Sequence, residues 1–499
     1  MRRWSFFSLG SLATLLLLAA CDKGPTEAVL LSQYPEDLAE VLISSCATEA
    51  CHMGPQAAAG LDLSTWDKMM TGGDRGAVAI PYETLWSEAL SRVNQNTISG
   101  PKAIGTDHPA LDSAGLILLK DWIETGAKSK QNLYPWIAEE QSSADKLFTL
   151  CAGSDLIAVT QLSTNRLMRY FEVGVDPDNL EAPHFIAISP DKQFLYVSLI
   201  EGGFVEKYRT DNYDFVERVA VGSSPSLLTL SPDGKYCLIS HFNSDDNSPK
   251  LTMINTESMS IVGDPLIASG QFLHRPHGLI TNQDFSVLYV GASNGNYYSK
   301  LEIDPTDDNG PFLSEEKFSL DPLNAPSPMG SVDYQPYYLE IDHTNNRLFI
   351  SCNATDEVRV FDLNNDQLIG SIPTGDYPRL MAFDPDGERL FVICRDEANS
   401  SAQGEYKGCV SVLNTADLSL IKNIYNIGHV PHGIAYSPSQ NLVVVNSENN
   451  GGLIPSFNPT SGRPGPAGFY RLIDGNSLEV IPNSERQIAV LPNACVVSE

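Results

Sequence analysis

The chain changes its hydrophobic rhythm partway along. Toward residue 128 the apolar positions recur at helical spacing, as in Leu116, Leu119 and Ile123, with Gly126 placed to cap a closing helix. From about Asp145 the pattern becomes short runs, apolar throughout or alternating, such as Leu195-Tyr-Val197, Leu348-Phe-Ile350 and Leu390-Phe-Val-Ile393. Runs of this kind between turn residues predict strands. They belong to a repeated unit that opens on Pro-x-x-Ile/Leu and continues through Ser/Asp-Pro-Asp-Gly into a second apolar run. Copies begin at Pro183, Pro225, Pro276, Pro336, Pro378 and Pro431, and an incomplete copy runs from Lys146 to Gly174. A period of about 40–50 residues with four short strands per unit predicts a β-propeller. Six full copies and one incomplete copy give seven blades. One blade cannot bury both of its faces, whereas a closed ring can.

The N-terminus has a different character. Arg2 and Arg3 precede an apolar run, Phe6 to Ala20, too short for an ordinary membrane span and fitting an export signal. The run ends in Leu18-Ala-Ala-Cys21, which resembles a bacterial lipobox and implies a lipidated Cys21 on the mature chain. The expected organisation is a signal peptide over 1–20, a tether over 21–33, a helical domain over 34–128, a linker over 129–144 and the propeller over 145–499.

Candidate chemistry concentrates in Cys46-Ala-Thr-Glu-Ala-Cys51-His52. Two thiols with an imidazole directly after the second suit covalent attachment of haem, the histidine binding iron. The usual spacing is CxxCH and here it is CxxxxCH; a disulfide or two thiols beside an incidental histidine is the competing reading. Val41-Leu-Ile-Ser-Ser45, Ala59-Gly-Leu-Asp-Leu-Ser64, Met70-Thr-Gly-Gly-Asp74 and Leu116 to Ala127 resemble the small cytochrome c domains that bacteria fuse to other periplasmic modules. The resemblance implies a small all-α cytochrome c-like domain carrying one covalent haem c, with Cys46 and Cys51 as anchors and His52 as proximal ligand. Where that family carries Met-Pro before its final helix, this chain has His108-Pro109. His108 is the expected distal ligand, since Met69 and Met70 read as helix core; an open sixth position is the alternative.

Net charge is −30, from 62 acidic and 32 basic residues. This argues against nucleic acid and against anionic membrane surfaces as partners, and is compatible with docking to a basic redox protein. No serine-hydrolase elbow, P-loop or dinucleotide fingerprint is present.

The repeat resembles the YVTN-type propellers of surface-layer and periplasmic proteins. His184, His277 and His432 fall at the second position of their copies, and two copies extend to His274/His277 and His429/His432; Ser226, Tyr338 and Arg379 are read into the same slot elsewhere. Equivalent positions converge on one end of a propeller channel. Such imidazoles suit copper, iron or a second haem, as in the dihaem nitrite reductases and nitrous oxide reductase. Because the other blades leave the ligand set incomplete, the expectation is a structural ring without a catalytic metal. Asp304 to Gly310 and Asp362 to Asp366 are acidic turns that lack the terminal glutamate of an EF-hand. Candidate disulfides are Cys151–Cys495, at the two ends of the propeller, and Cys394–Cys409, across two strands of one blade.

Three functions follow. The first is a lipid-anchored cell-envelope cytochrome that transfers electrons to a redox partner docked on the propeller. The second is a periplasmic oxidoreductase with its active site in the propeller. The third is a non-redox propeller scaffold or adhesion lipoprotein.

Overall fold

The computed structural model describes residues 33–48, 51–74, 76–94, 108, 110–136, 145–176, 178–245, 247–267, 273, 275–307, 310–327, 334–395, 407–448 and 467–499. Cys21, His274 and Pro109 lie outside them.

Seven antiparallel sheets form the body of the molecule, as the repeat predicts. Six blades take their strands in chain order, from an inner strand that begins at a repeat proline to an exposed outer strand. Blade 1 is different. Its inner strand is the C-terminal segment Pro492–Ser498, which pairs antiparallel with Lys146–Cys151. The first and last strands of the propeller segment therefore close the ring, and among the described strands no blade is left with an open inner edge. The second strand of each full repeat is buried on both faces, for example all of Leu195 to Leu199 and Leu390 to Cys394. This explains why these runs are apolar throughout rather than alternating.

The turn between the first two strands is set by local chemistry. Ser189 Oγ accepts the Phe194 N–H at 2.9 Å and donates to the Asp191 carboxylate at 2.5 Å. Ser231 repeats this with Tyr236 and Asp233, at 3.0 and 2.7 Å. In blade 6 Asp384 takes the place of the serine and accepts the Arg389 N–H at 3.1 Å. The fourth turn residue has positive φ, which is why Gly234 and Gly387 stand there, at +73° and +69°.

The expectation of a separate all-α cytochrome c-like domain is overturned. The molecule is nearly all-β. Among the described residues the N-terminal segment holds four short α-helices: α1 (Glu36–Ser45), α2 (Trp66–Thr71), α3 (Glu88–Val93) and α4 (Ser113–Glu124). Two are only six residues long, and a helix of that length cannot cover a core by itself. Loops and the propeller complete the burial. Ile80 belongs to the same buried cluster as Leu147 and Tyr170 of blade 1 and Ile488 of blade 7, and Trp86 packs against it. Arg166 lies 4.2 Å over the Trp136 ring and donates to Thr71 Oγ1 at 3.0 Å. The segment is thus a helical cap built onto blade 1.

The cap has its own smaller cluster. Leu116, Leu119 and Ile123 of α4 are buried against Leu38 and Leu42 of α1. Asp112 caps α4 by accepting the Gly115 N–H at 2.8 Å, and Gly126 follows its end at φ +99°. No helix among the described residues is long and apolar enough to cross a membrane.

Candidate cofactor pocket and axial ring

The Cys46–His52 segment leaves α1 and turns back along the cap. Cys46 is half-buried at the end of α1, its N–H donating to Leu42 O at 2.9 Å. Burial, and then the neighbouring Cys51, push its thiol above the ordinary range. Cys51 is exposed. The His52 backbone is pinned because its carbonyl accepts the Leu63 N–H at 2.8 Å. The His52 ring is oriented as well, with Nδ1 3.2 Å from Leu61 O. A proton on Nδ1 satisfies that carbonyl and leaves Nε2 with the lone pair.

His108 faces His52. The two ring centroids are 6.0 Å apart and the ring planes differ by 8°. Cys46, Cys51, His52 and His108 all line one cavity of about 490 Å³. Its remaining wall is mostly apolar, from Leu38 and Leu42 of α1, Met69 of α2, Val93 of α3 and Leu119 of α4. That volume lies within the range of pockets that enclose small molecules and cofactors. All four residues singled out from sequence in this segment therefore meet at one place. Met69, read from sequence as helix core, is 1 % exposed and lies on the same wall.

The second cluster closes one end of the propeller channel. His184, His277 and His432 converge there. His184 Nε2 is 3.5 Å from His277 Nε2, and the His184 and His432 centroids are 6.0 Å apart. Register identifies the complete slot. Each inner-strand proline pairs with the end of the second strand, Pro336 with Cys352 for instance, so the blade 5 member is Tyr337 and not Tyr338. The ring is then His184, Ser226, His277, Tyr337, Arg379, His432 and Asn493. Asn493, on the closing strand, donates from Nδ2 to His184 Nδ1 at 2.9 Å. Its signal in the sequence was Pro492, a repeat proline at the far end of the chain.

Burial and then the Arg379 charge hold His184 down to about 4. Burial likewise keeps His277 and His432 well below the ordinary imidazole range, with Arg379 and neighbouring imidazoles adding to it. Among the described residues no group of three or more His, Cys, Asp or Glu side chains is placed to hold a metal ion.

The glycines of the two Pro-His-Gly copies have a steric reason. A Cβ on Gly433 would stand 2.2 Å from Asn493 O, and one on Gly278 would stand 2.7 Å from Tyr338 Cα. The neighbouring inner strand passes too close for a side chain.

Below the ring the channel widens into a cavity of about 470 Å³ lined by Phe185, Leu227, Ile280, Leu380 and Val496, with Tyr338 and Glu340 on its wall. Burial pushes the Glu340 carboxyl up to about 8. Nothing in the repeat pattern singles this residue out.

The candidate disulfides are reduced thiols here. Cys495 pairs in register with Thr149, and Cys151 with Pro492. Diagonal neighbours of this kind stand about 7–8 Å apart, beyond the usual reach of a disulfide. Cys394 and Cys409 are directly opposite each other; burial raises the Cys394 thiol, but hydrogen bonds from Cys409, Ser411 and the backbone together bring it below its ordinary value. In the acidic turns, Asp304 accepts the Thr306 N–H at 2.8 Å, Asp362 accepts the Asn364 N–H at 2.8 Å, and Asp366 pairs with Lys300 at 2.7 Å. These are turn-stabilising contacts.

No family model matches the chain. Antigen Lp49 of Leptospira interrogans serogroup Icterohaemorrhagiae serovar copenhageni (strain Fiocruz L1-130) is 24% identical over 269 residues, 51% of this chain and 53% of that protein. The chain thus spans about half the length of this curated relative. A putative 6-phosphogluconolactonase from Bacteroides fragilis NCTC 9343 superposes with TM-score 0.54 at 13% identity, over 72% of this chain and 99% of that one. A functionally unknown protein from Desulfotomaculum acetoxidans DSM 771 gives TM-score 0.53 at 12% identity, over 71% and 99%. At such identities the likeness concerns fold alone, and the fold is a seven-bladed β-propeller.

Proposed function

We propose that the chain is an electron-transfer protein whose helical cap holds one covalent haem c, and whose propeller docks the redox partner. Cys46 and Cys51 would anchor the haem through thioethers, and His52 and His108 would bind its iron. The observation that carries this reading is the His52–His108 pair. Two imidazoles bound to opposite sides of one metal ion by bonds of about 2 Å have ring centroids about 6 Å apart. These two stand 6.0 Å apart with nearly parallel planes, in a cavity that both cysteines also line.

When bound, the haem supplies a one-electron iron couple. The residues of the chain do the rest. Leu61 O fixes the His52 ring so that Nε2 serves as the donor. The apolar wall formed by α1, α2, α3 and α4 would shield a bound haem from water. An imidazole at position 108 favours the oxidised state more than a thioether would. Lipidation of Cys21 and a place in the cell envelope belong to the same proposal and rest on the lipobox.

A second reading is a propeller scaffold or adhesion module without redox chemistry. It is supported by the comparisons, which reach the propeller fold itself.

One experiment separates the two. The full chain is expressed with a competent cytochrome c maturation system, and the denatured product is assayed by pyridine haemochrome and intact mass. The expected result is one covalent haem per chain, lost in the Cys46→Ala/Cys51→Ala double variant, together with an acyl mass on Cys21. The oxidised spectrum should lack the methionine–iron charge-transfer band, because His108 and not Met69, the competing donor on the same wall, would bind the iron. A product without haem leaves the scaffold reading standing.

A further inference from the structure

The axial ring forms a hydrogen-bonded chain whose protons can be assigned from its contacts. Asn493 Nδ2 donates to His184 Nδ1 at 2.9 Å, so a neutral His184 carries its proton on Nε2. His277 Nδ1 lies 3.1 Å from the Tyr337 carbonyl and must donate to it, leaving Nε2 to accept from His184 at 3.5 Å. The Arg379 guanidinium donates to the Tyr337 hydroxyl. That hydroxyl faces His432 Nε2 at 3.5 Å. His432 then carries its proton on Nδ1, and His432 Nδ1 has no partner.

Three further ring atoms lack a partner, two donors and one acceptor, the latter being Asn493 Oδ1. Arg379 Nε and Ser226 Oγ are buried without a hydrogen-bond partner. Ser226 is fully buried, His432 is 6 % exposed and Arg379 is 8 % exposed. Three orphaned donors at one end of one channel call for an acceptor. The charge points the same way. Arg379 is permanently cationic, and among the described residues it forms no ion pair. It rests on the faces of Tyr337 and Tyr377, at 4.2 and 5.0 Å. The nearby carboxylate, Glu448, is committed to Arg395 at 3.7 Å. A buried cation without a counter-charge is unfavourable.

We propose that the ring is an anion site that takes one small oxyanion or carboxylate, held by Arg379 Nε–H, His432 Nδ1–H and Ser226 Oγ–H. An anion there would offset the Arg379 charge that now helps keep the three imidazoles neutral. Binding would therefore take up protons. The groups that set this linkage are Arg379, Arg395, Glu448, Tyr337 and the histidines themselves. The site is independent of the haem reading.

The test is isothermal titration of the full chain at pH 7 with sodium sulfate and, separately, sodium acetate, at constant chloride and in two buffers of different ionisation enthalpy. The expected result is 1:1 binding of one of these anions with net proton uptake; which one binds distinguishes an oxyanion from a carboxylate. Arg379→Met should weaken it at least about tenfold, the loss of a charge-assisted hydrogen bond, and Arg379→Lys should weaken it less. Ser226→Ala, which removes one donor and no charge, should weaken it measurably and guards against misfolding of the arginine variants, whose circular dichroism is recorded alongside. If neither anion binds at about 100-fold excess over the protein, the ring holds only water and the proposal fails. It fails equally if Arg379→Met and Ser226→Ala bind as the wild type does.

Discussion

Glu340 makes the channel sensitive to pH, and the sign can be worked out. The residue lies on the inner strand Pro336–Asp342 and faces the cavity of about 470 Å³. Its neighbour Tyr338 hydrogen-bonds it, and burial raises the carboxyl from 4.5 to about 8. In the unfolded chain the group titrates near its ordinary value. A carboxyl whose folded pKa is raised contributes stability that is fully present below about 4.5 and is lost as pH rises through about 8. A shift of that size corresponds to about 5 kcal/mol if the whole burial cost is realised. The carboxyl faces a lumen that admits water, which solvates part of the charge. About half, some 2–3 kcal/mol, is therefore the expected loss between pH 5 and pH 8.5. Glu340→Gln keeps the size and the carbonyl acceptor for Tyr338 but cannot ionise. The assay is urea unfolding of wild type and variant at pH 5, 7 and 8.5. The two should be close at pH 5, and the variant should be more stable by about 2–3 kcal/mol at pH 8.5. The buried histidines contribute an opposite slope below about pH 6.5, and it cancels in the difference because both proteins carry them. A gap that does not change with pH would refute the reasoning, since it would place the carboxyl near its ordinary value.

Two further predictions concern closure of the ring. Gly433→Ala puts a Cβ 2.2 Å from Asn493 O and 3.1 Å from Ala494 Cα, both backbone, so the closing strand must move; a loss of about 1–3 kcal/mol is expected in denaturant unfolding, and wild-type stability would show that the close approach is not real. Removing residues 492–499 takes away the inner strand of blade 1 and exposes the edge of Lys146–Cys151; size-exclusion chromatography and thermal melting should report aggregation and a lower midpoint, and an unchanged monomer would mean the ring closes some other way.

The blades were legible because each reuses one local solution: a proline opening the inner strand, a serine- or aspartate-capped turn, and a second strand buried on both faces. Local chemistry repeated in six full copies leaves a strong trace in a single sequence. Contacts that depend on register left a weaker one. Two adjacent tyrosines follow Pro336, and the pairing of Pro336 with Cys352 assigns the axial slot to Tyr337, the residue directly after the proline, and not to Tyr338. Asn493 was missed because its neighbour His184 is 309 residues away along the chain. Glu340 was missed because the equivalent channel positions in the other blades, Ala187, Thr229, Ile280, Ala382, Ala435 and Val496, carry no charge. In the helical cap the haem-type motif and the closing helix were readable, but the status of the cap was not. Helical periodicity in α1 and α4 suggested a self-contained bundle, whereas Ile80 and Trp86, in loops without periodicity, tie the cap to blade 1.

The two polar clusters also differ in what the fold asks of them. His52 and His108 come from irregular segments, and their alignment across a cavity is a specific arrangement of otherwise unrelated loops. The axial ring is different, because a seven-fold closure brings the second residue of every inner strand to one place whatever that residue is. Convergence alone therefore says little about function there. The composition of the ring says more. Any apolar side chain in these slots would seal the channel without leaving a buried donor unsatisfied. The chain instead places an arginine, three histidines, a tyrosine, a serine and an asparagine there, and leaves Arg379 Nε, His432 Nδ1 and Ser226 Oγ without partners. Such a choice costs stability unless an acceptor completes the set, which is why the ring reads as a site and not as a plug.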